Sequence, residues 1–397
     1  MTFRRCLHLG AAILLGLVVA LGLWNPLAKA QEGRGSRGQQ YRVDPFWPKP
    51  LPSVKDAQGQ SHQWVTGEVG ASCVDARDHI ITVNRGFLRN GLLGQEGAQS
   101  VPAPPILEFD SEGKLVNSWG DATLTPAGAA ASLPNGIHGC FVDYQDNIWI
   151  AGNADGIVQK WTHDGKTMLL QIGTKGTCDG PPALNPKALY PSCGEPGNNA
   201  SQSLLNNPAD IAVDPNPDPV TGERGSVYIA DGYGNHRVIV FDSKGKYLRH
   251  WGSAGSGPSQ FVLRGGGHPH CVALGKDGLV YACDRGQNRI QVFDKMGKLT
   301  RIIPVDPPDQ EKATNRVCDI TFSPDQKEAF IYITDLGSAR VWIMERESGK
   351  IVSSIGRAGH MAGEFVFPHT VVTDSKGNVY VAETVGGRRS QKFVKVG

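Results

Sequence analysis

An all-β chain folded as a six-bladed β-propeller is what this sequence predicts, on three grounds. A unit of β-rich runs recurs six times. Each copy reads as antiparallel strands joined by tight turns, as in HCVAL, Gly-Lys-Asp-Gly and LVYAC from His270 to Cys283. The chain offers no stretch of helical periodicity after its first residues.

The N-terminal 30 residues carry Arg4 and Arg5, an apolar run from Ala11 to Trp24, and Ala28-Lys29-Ala30 ahead of Gln31. That grammar is an export signal, with an uncleaved anchor as its rival. Its removal takes away Arg4, Arg5 and Lys29 and no acid, leaving a mature chain close to neutral. Nucleic acid is therefore not an expected partner, nor is a membrane once the signal is gone. A secreted or periplasmic monomer is the expectation. Residues 31–61 read as an extended or disordered lead-in, Gly/Arg/Gln-rich and then Pro-punctuated, and residues 62–397 as the propeller.

The six first strands end at Asp75, Asp143, Asp214, Gly275, Ser323 and Asp374. A second strand follows each (HIITV, NIWIAG, SVYIAD, LVYACD, FIYITD, NVYVAE), then a third, and in five copies a fourth after Gly-Lys. The sixth copy stops at its third strand. His62 to Gly67 (HQWVTG), whose Trp-x-x-Gly echoes the fourth strands, is the expected N-terminal strand closing that last blade, since a ring avoids an open edge. Wider spacing early in the chain places insertions at Gly91 to Ala103, Thr123 to Asn135 and Gly173 to Gln202.

Seven cysteines remain after the signal. Cys178 and Cys193 flank a Pro/Gly/Asn-rich insertion that cannot build a core, so a disulfide is expected there. Cys73, Cys140, Cys271, Cys283 and Cys318 lie in strand-like runs and read as buried thiols, a Cys271–Cys283 pairing being open.

Departures from the repeat locate a site. The second position of the first strand is Gly70, His138, Ala209, His270, Cys318 and His369 in turn, so histidine occupies alternate blades only. First strands line a propeller's axis, and His138, His270 and His369 would converge there at about 120° intervals. Three neutral imidazoles with an open fourth direction are what a catalytic zinc site requires; copper, iron and nickel fit the same donors. Cys318 shares that register, either as a small filler or with its sulfur at the metal. The loops between second and third strands return to this end, bringing Arg85 (NRGF), Tyr233 (DGYGN) and Arg285 (DRGQN). Two guanidiniums beside a metal suit a carboxylate, and a phenol there can move a proton. The rival reading of each arginine is a rim ion pair. His268 reads as a neighbour of the site or an exposed turn, His236 as structural, and His79, His163, His250 and His360 as loop or edge residues.

The unit, with its Asp-Gly-x-Gly-Asn-His-Arg-Val turn from Asp231 to Val238, resembles the NHL repeat from about Gln63 onward. His138, His270 and His369 together with Arg85, Tyr233 and Arg285 resemble, more narrowly, the core of peptidyl-α-hydroxyglycine α-amidating lyase (peptidylamidoglycolate lyase), a six-bladed propeller with zinc. The resemblance implies that the histidines hold zinc, the arginines bind the substrate carboxylate and Tyr233 transfers a proton. It implies a carbon-nitrogen lyase giving an amide and glyoxylate from a small-molecule or peptide substrate bearing a carboxylate. The family's third histidine is followed by an Asp associated with axial calcium; here Thr370 follows His369, which puts calcium in doubt. A non-catalytic NHL propeller that binds a protein or small-molecule partner is the alternative. A calcium-dependent lactonase propeller would need carboxylates and Asn in the register that offers His, Gly, Ala and Cys.

Overall fold

Asp-led turns explain why the strands fall where they do. Asp143 Oδ1 accepts the main-chain N–H groups of Gln145 and Asn147, both at 2.9 Å, and Asp294 Oδ1 those of Met296 and Lys298, also at 2.9 Å. A carboxylate that satisfies two turn donors, two and four residues on, closes the hairpin and fixes its register. The same device serves Asp75, Asp110, Asp242 and Asp374.

The structure is a computed structural model that describes residues 39–55, 57–85, 100–120, 133–134, 136–181, 193–194, 196–262, 268–307 and 316–396. The expected signal at 1–30, and much of the expected insertions, fall outside these. Among the described residues are six four-stranded antiparallel sheets. Blade 1 comprises Val69–Val74, Ile80–Asn84, Ile106–Phe109 and Leu115–Trp119; blade 2, Ile137–Val142, Ile148–Gly152, Ile157–Trp161 and Met168–Ile172. Blade 3 comprises Asp210–Val213, Val227–Asp231, Arg237–Phe241 and Tyr247–Trp251; blade 4, Val272–Leu274, Val280–Asp284, Arg289–Phe293 and Leu299–Pro304. Blade 5 comprises Asp319–Phe322, Phe330–Asp335, Arg340–Glu345 and Ile351–Ile355; blade 6, Pro368–Thr373, Val379–Glu383, Arg389–Val396 and Gln40–Asp44.

First strands of neighbouring blades pack side by side: blade 1 against blades 2 and 6, blade 3 against blades 2 and 4, and blade 5 against blade 6. Blades 4 and 5 share an apolar core that includes Ile290, Ile320 and Ile331. The ring is thereby closed, as a β-propeller requires. Second strands such as Val227–Asp231 are buried throughout because each face meets a neighbouring blade, and every fully buried Val or Ile contributes about 1.5–3 kcal/mol. Outer strands such as Tyr247–Trp251 are only half-buried and correspondingly more polar.

Two expectations need correction. The closing strand is Gln40–Asp44, paired antiparallel with Arg389–Val396 in the register Tyr41↔Lys395 and Val43↔Phe393, and not His62 to Gly67. Tyr41 and Val43 alternate onto the blade 5 and 6 core, and Tyr41 Oη meets Tyr332 Oη at 2.6 Å. Ser61–Val65 instead joins a three-stranded sheet with Ser53–Lys55 and Ser100–Pro102, and its Trp64 packs on Leu107 and Phe109 of blade 1. The propeller thus begins inside what reads as a lead-in.

The cysteines also pair more widely than their strand setting suggests. Cys178–Cys193 forms as expected, with Cα atoms 5.8 Å apart. Cys73–Cys140 staples the first strands of blades 1 and 2 at a Cα separation of 5.7 Å, and Cys271–Cys283 joins two strands within blade 4 at 4.9 Å. Side-by-side strands bring these Cα atoms into the range a disulfide spans. Cys318 is the free, buried thiol.

Candidate metal centre

The alternating register does what the repeat predicts. His138, His270 and His369 are 3%, 2% and 3% exposed, and their ring centroids lie 4.7–5.0 Å apart. Their potential ligand atoms all fall within 4.8 Å of one another. The residues at the same position in the intervening blades orient them: Nδ1 of His138 donates to the Ala209 carbonyl (2.8 Å), that of His270 to Cys318 (2.6 Å) and that of His369 to Gly70 (2.6 Å). A carbonyl only accepts, so each Nδ1 carries the proton and each Nε2 presents a lone pair. A small residue at Gly70 is a steric necessity as well: a Cβ there would lie 2.9 Å from the Ile137 carbonyl oxygen.

Electrostatics keep the rings neutral. Burial, then His369 and Arg85, hold His138 well below the usual histidine range; burial, then Arg285 and the other two rings, do the same for His270. Burial followed by Arg85 and Arg285 pushes His369 down to about 3. Neutral imidazole is the form that binds a metal.

The other expected residues converge here too. Tyr233 Oη lies 3.0 Å from both His138 Nε2 and His270 Nε2. Gly232 makes that approach feasible, since a Cβ there would sit 1.9 Å from the Pro269 carbonyl oxygen. Burial pushes the Tyr233 phenol up, against the pull of Arg285 and Arg85. Arg285 stands over the Tyr233 ring, 5.5 Å from its centroid, and its Nη1 is 3.7 Å from Cys318 Sγ. Arg85 donates from Nε to the Ile137 carbonyl (2.7 Å) and pairs through Nη1 with Glu68 Oε2 at 2.9 Å.

These residues fit a cation. Lone pairs on three Nε2 atoms converge, and Tyr233 has a single hydroxyl proton to share between two of them. That surplus of acceptors suits a soft-to-borderline divalent ion with imidazole ligands.

Sequence reasoning missed Glu68, which precedes the blade 1 first strand; an acid bordering an apolar run was its only signal. Cys318 is more than a filler: its Sγ is 3.6 Å from His270 Nδ1, and burial pushes the thiol up to about 12 although Arg285 opposes this. His268 is buried and accepts the Gly286 N–H through Nδ1 at 2.9 Å, steadying the Arg285 turn. At the calcium position of the resembling family, the Thr370 hydroxyl accepts the Ser72 N–H (3.0 Å), so it serves as a bridge between blades 6 and 1.

A family model for the NHL repeat matches residues 267–293, the segment holding His270 and Arg285. The chain carries an NHL repeat. The chain is 27% identical to NHL repeat-containing protein 3 of Homo sapiens, over 89% of its own length and 84% of that protein's. It is 26% identical to the probable peptidyl-alpha-hydroxyglycine alpha-amidating lyase of Caenorhabditis elegans, over 57% of this chain and 55% of that one. Against the peptidylglycine alpha-amidating monooxygenase of Rattus norvegicus it is 25% identical over 89% of this chain, which spans 33% of that protein. Among solved structures, one described as a streptogramin B lyase structure aligns at 12% identity and a TM-score of 0.49, covering 90% of this chain and 98% of that one.

Proposed function

We propose that this NHL-repeat protein is an exported, monomeric, zinc-dependent lyase that cleaves the C–N bond of a carboxylated α-hydroxy amide, giving an amide and glyoxylate. The observation that carries the reading is the meeting of His138, His270 and His369 with Tyr233 and two arginines at one end of the axis. Similarity to amidating lyases supports it at modest identity. Three disulfides suit an oxidising compartment, and no described helix is long and apolar enough to cross a membrane.

The histidine Nε2 atoms would hold the ion, which when bound supplies positive charge to polarise the substrate hydroxyl oxygen and to favour phenolate at Tyr233. Arginine orients the substrate by its carboxylate. Tyr233 takes the hydroxyl proton; the O–H electron pair closes the glyoxylate carbonyl, the C–N pair moves to nitrogen, and Tyr233 returns the proton there. Protein purified without chelator should contain one zinc per chain and release glyoxylate from α-hydroxyhippurate. A zinc-loaded sample that releases none would sink this substrate class.

The second reading, a propeller that binds a partner without catalysis, draws on the similarity to NHL repeat-containing protein 3 over most of both chains. It predicts no bound metal, so elemental analysis separates the two.

A further inference from the structure

The residue two before His270 ties together two of the loops that furnish the site. His268 is 1% exposed, in the segment that leads into the blade 4 first strand. Its main-chain N–H donates to the Gly232 carbonyl at 2.6 Å, and the His236 ring hydrogen-bonds its main chain, so blade 3 holds it beside Tyr233. Its ring reaches the second-to-third strand turn of blade 4. Arg285–Gln287 is a single turn of 3₁₀-helix, and the N–H groups that open such a turn find no partner within it. Asp284, at the N-cap position, does not supply one, because its Oδ2 is engaged by Arg289 Nε (2.6 Å) and Gln291 Nε2 (3.3 Å). His268 Nδ1 supplies it, accepting the Gly286 N–H at 2.9 Å. The fit is close on both sides: a Cβ on Gly286 would lie 2.6 Å from His268 Cε1, and one on Gly232 would lie 2.7 Å from the His268 carbonyl carbon.

We infer that His268 is a positioning residue that sets where Arg285 stands relative to Tyr233. Its backbone is fastened to the loop that presents the phenol, and its imidazole caps the turn that presents the guanidinium, 5.5 Å from the phenol ring centroid. A guanidinium grips a carboxylate through two parallel hydrogen bonds only when its plane is fixed, so the cap acts on substrate binding through Arg285. His270 is oriented separately, by the Cys318 carbonyl, so the three histidines keep their arrangement when the cap is lost. The inference rests on the lyase reading for the identity of the substrate, but the cap is measurable without turnover.

Hippurate, a monocarboxylate without the α-hydroxyl, is the binding probe, titrated calorimetrically into zinc-loaded wild type, His268→Ala, His268→Asn, His268→Gln, Arg285→Lys and the double variant His268→Ala/Arg285→Lys. His268→Ala should weaken hippurate about tenfold or more with one zinc retained, and raise KM for α-hydroxyhippurate more than it lowers kcat. In His268→Asn, Oδ1 stands at the branch point that Nδ1 occupied and accepts the same N–H, so most of the loss is recovered. Gln carries its amide one bond further out and should behave like Ala, which decides the matter if the Ala variant does not fold. The double variant should match Arg285→Lys within about twofold, because His268 acts through Arg285 and a flexible ammonium gains little from a fixed turn. Hippurate affinity unchanged in His268→Ala and His268→Gln, no recovery in His268→Asn, or additive losses in the double variant overturns the inference. Wild type that binds hippurate but releases no glyoxylate overturns the lyase reading alone. Wild type that binds no hippurate overturns that reading too, and deuterium exchange of the Gly286 amide then decides the role of His268. Exchange should be about tenfold or more faster in His268→Gln than in His268→Asn, and equal rates overturn the inference.

Discussion

Two groupings of histidine, one at the start of the first strands of blades 2, 4 and 6 and one in hairpin turns of blades 1 and 2, have neighbours that make them opposites. At the candidate metal centre, main-chain carbonyls hold Nδ1, and guanidiniums lie within electrostatic reach of the rings. Across the seam of blades 1 and 2, His79 Nδ1 stands 2.6 Å from Glu108 Oε1, and His163 lies 3.2 Å from Glu108 Oε2 and 3.0 Å from Asp146 Oδ1. Hydrogen bonding to Glu108 raises His163 against the opposing effect of burial. Burial would push Glu108 up, but His163 and His79 outweigh it and hold the carboxyl at about 2. Both groupings bring potential ligand atoms within 4.8 Å, so distance alone does not select the metal site. Charge does: the seam already holds a cation, Arg77, whose Nη2 is 2.6 Å from Asp75 Oδ2 and 3.0 Å from His163 Nε2. Carboxylates favour the charged form of His163, whereas carbonyls and arginines keep the axial rings neutral and able to bind a metal.

The sharpest way to break this contrast is to remove one histidine from each group. His270→Ala should lower zinc affinity by more than about 100-fold and abolish glyoxylate release, because two imidazoles do not make a closed site. His163→Ala should leave one zinc per chain and nearly unchanged turnover. Equal zinc loss in both variants, read by elemental analysis after dialysis, would erase the distinction.

The seam is also where the covalent staple lies. Cys73–Cys140 and the Trp119–Trp161 ring contact, with centroids 5.5 Å apart, both cross from blade 1 to blade 2. Replacing Cys73 and Cys140 together by Ala should cost about 2–5 kcal/mol, seen as a lower thermal midpoint, while zinc stoichiometry persists. A staple that mattered to the metal centre would instead release zinc in the same variant.

The candidate metal centre was legible in the sequence because its three histidines repeat one register: His138, His270 and His369 occupy equivalent positions in a unit whose turns announce themselves. The seam was not. His79 and His163 belong to different blades and look like ordinary loop residues until the ring places Glu108 between them. The same holds for Cys73 with Cys140, for Glu68 with the groups around Arg85, and for Tyr41, whose pairing to Lys395 spans nearly the whole described chain. Local patterns specify strands and registers, whereas contacts between blades depend on closure of the ring, which no short window contains.

A finer test sharpens the contrast through pH. Three imidazoles titrating near the ordinary value of about 6.5 would lose roughly 50-fold in zinc affinity between pH 7.5 and 6, because each must shed a proton to bind. Here the folded rings are already neutral over that range, His369 being held at about 3. Zinc affinity of the folded chain should therefore change by less than about threefold. The metal-free protein behaves differently: its depressed histidines contribute stability above about pH 6.5 that is lost as pH falls, since the unfolded chain then takes up protons that the folded one refuses. A 50-fold loss of affinity over this interval would show that carbonyls and arginines do not control these rings.

The smallest effect belongs to the seam and has the opposite sign. A raised His163 contributes stability that is fully present below its unfolded value of about 6.5 and is lost as pH rises through the folded value. Glu108, lowered to about 2, contributes above its unfolded value of about 4.5 and loses that contribution as pH falls toward 2. The clasp is therefore strongest between about pH 4.5 and 6.5. His163 is partly buried but its partner Asp146 is exposed to solvent screening, so its charge-linked share is discounted to about 0.5–1 kcal/mol. In zinc-saturated protein, His163→Ala should lower the thermal midpoint by about 1–2 °C more at pH 5.5 than at pH 8.5. Lost packing adds the same offset at both values, so only the difference reports the charge. A larger deficit at pH 8.5 would mean that His163 is held neutral, as at the metal centre, and that facing carboxylates does not decide its protonation.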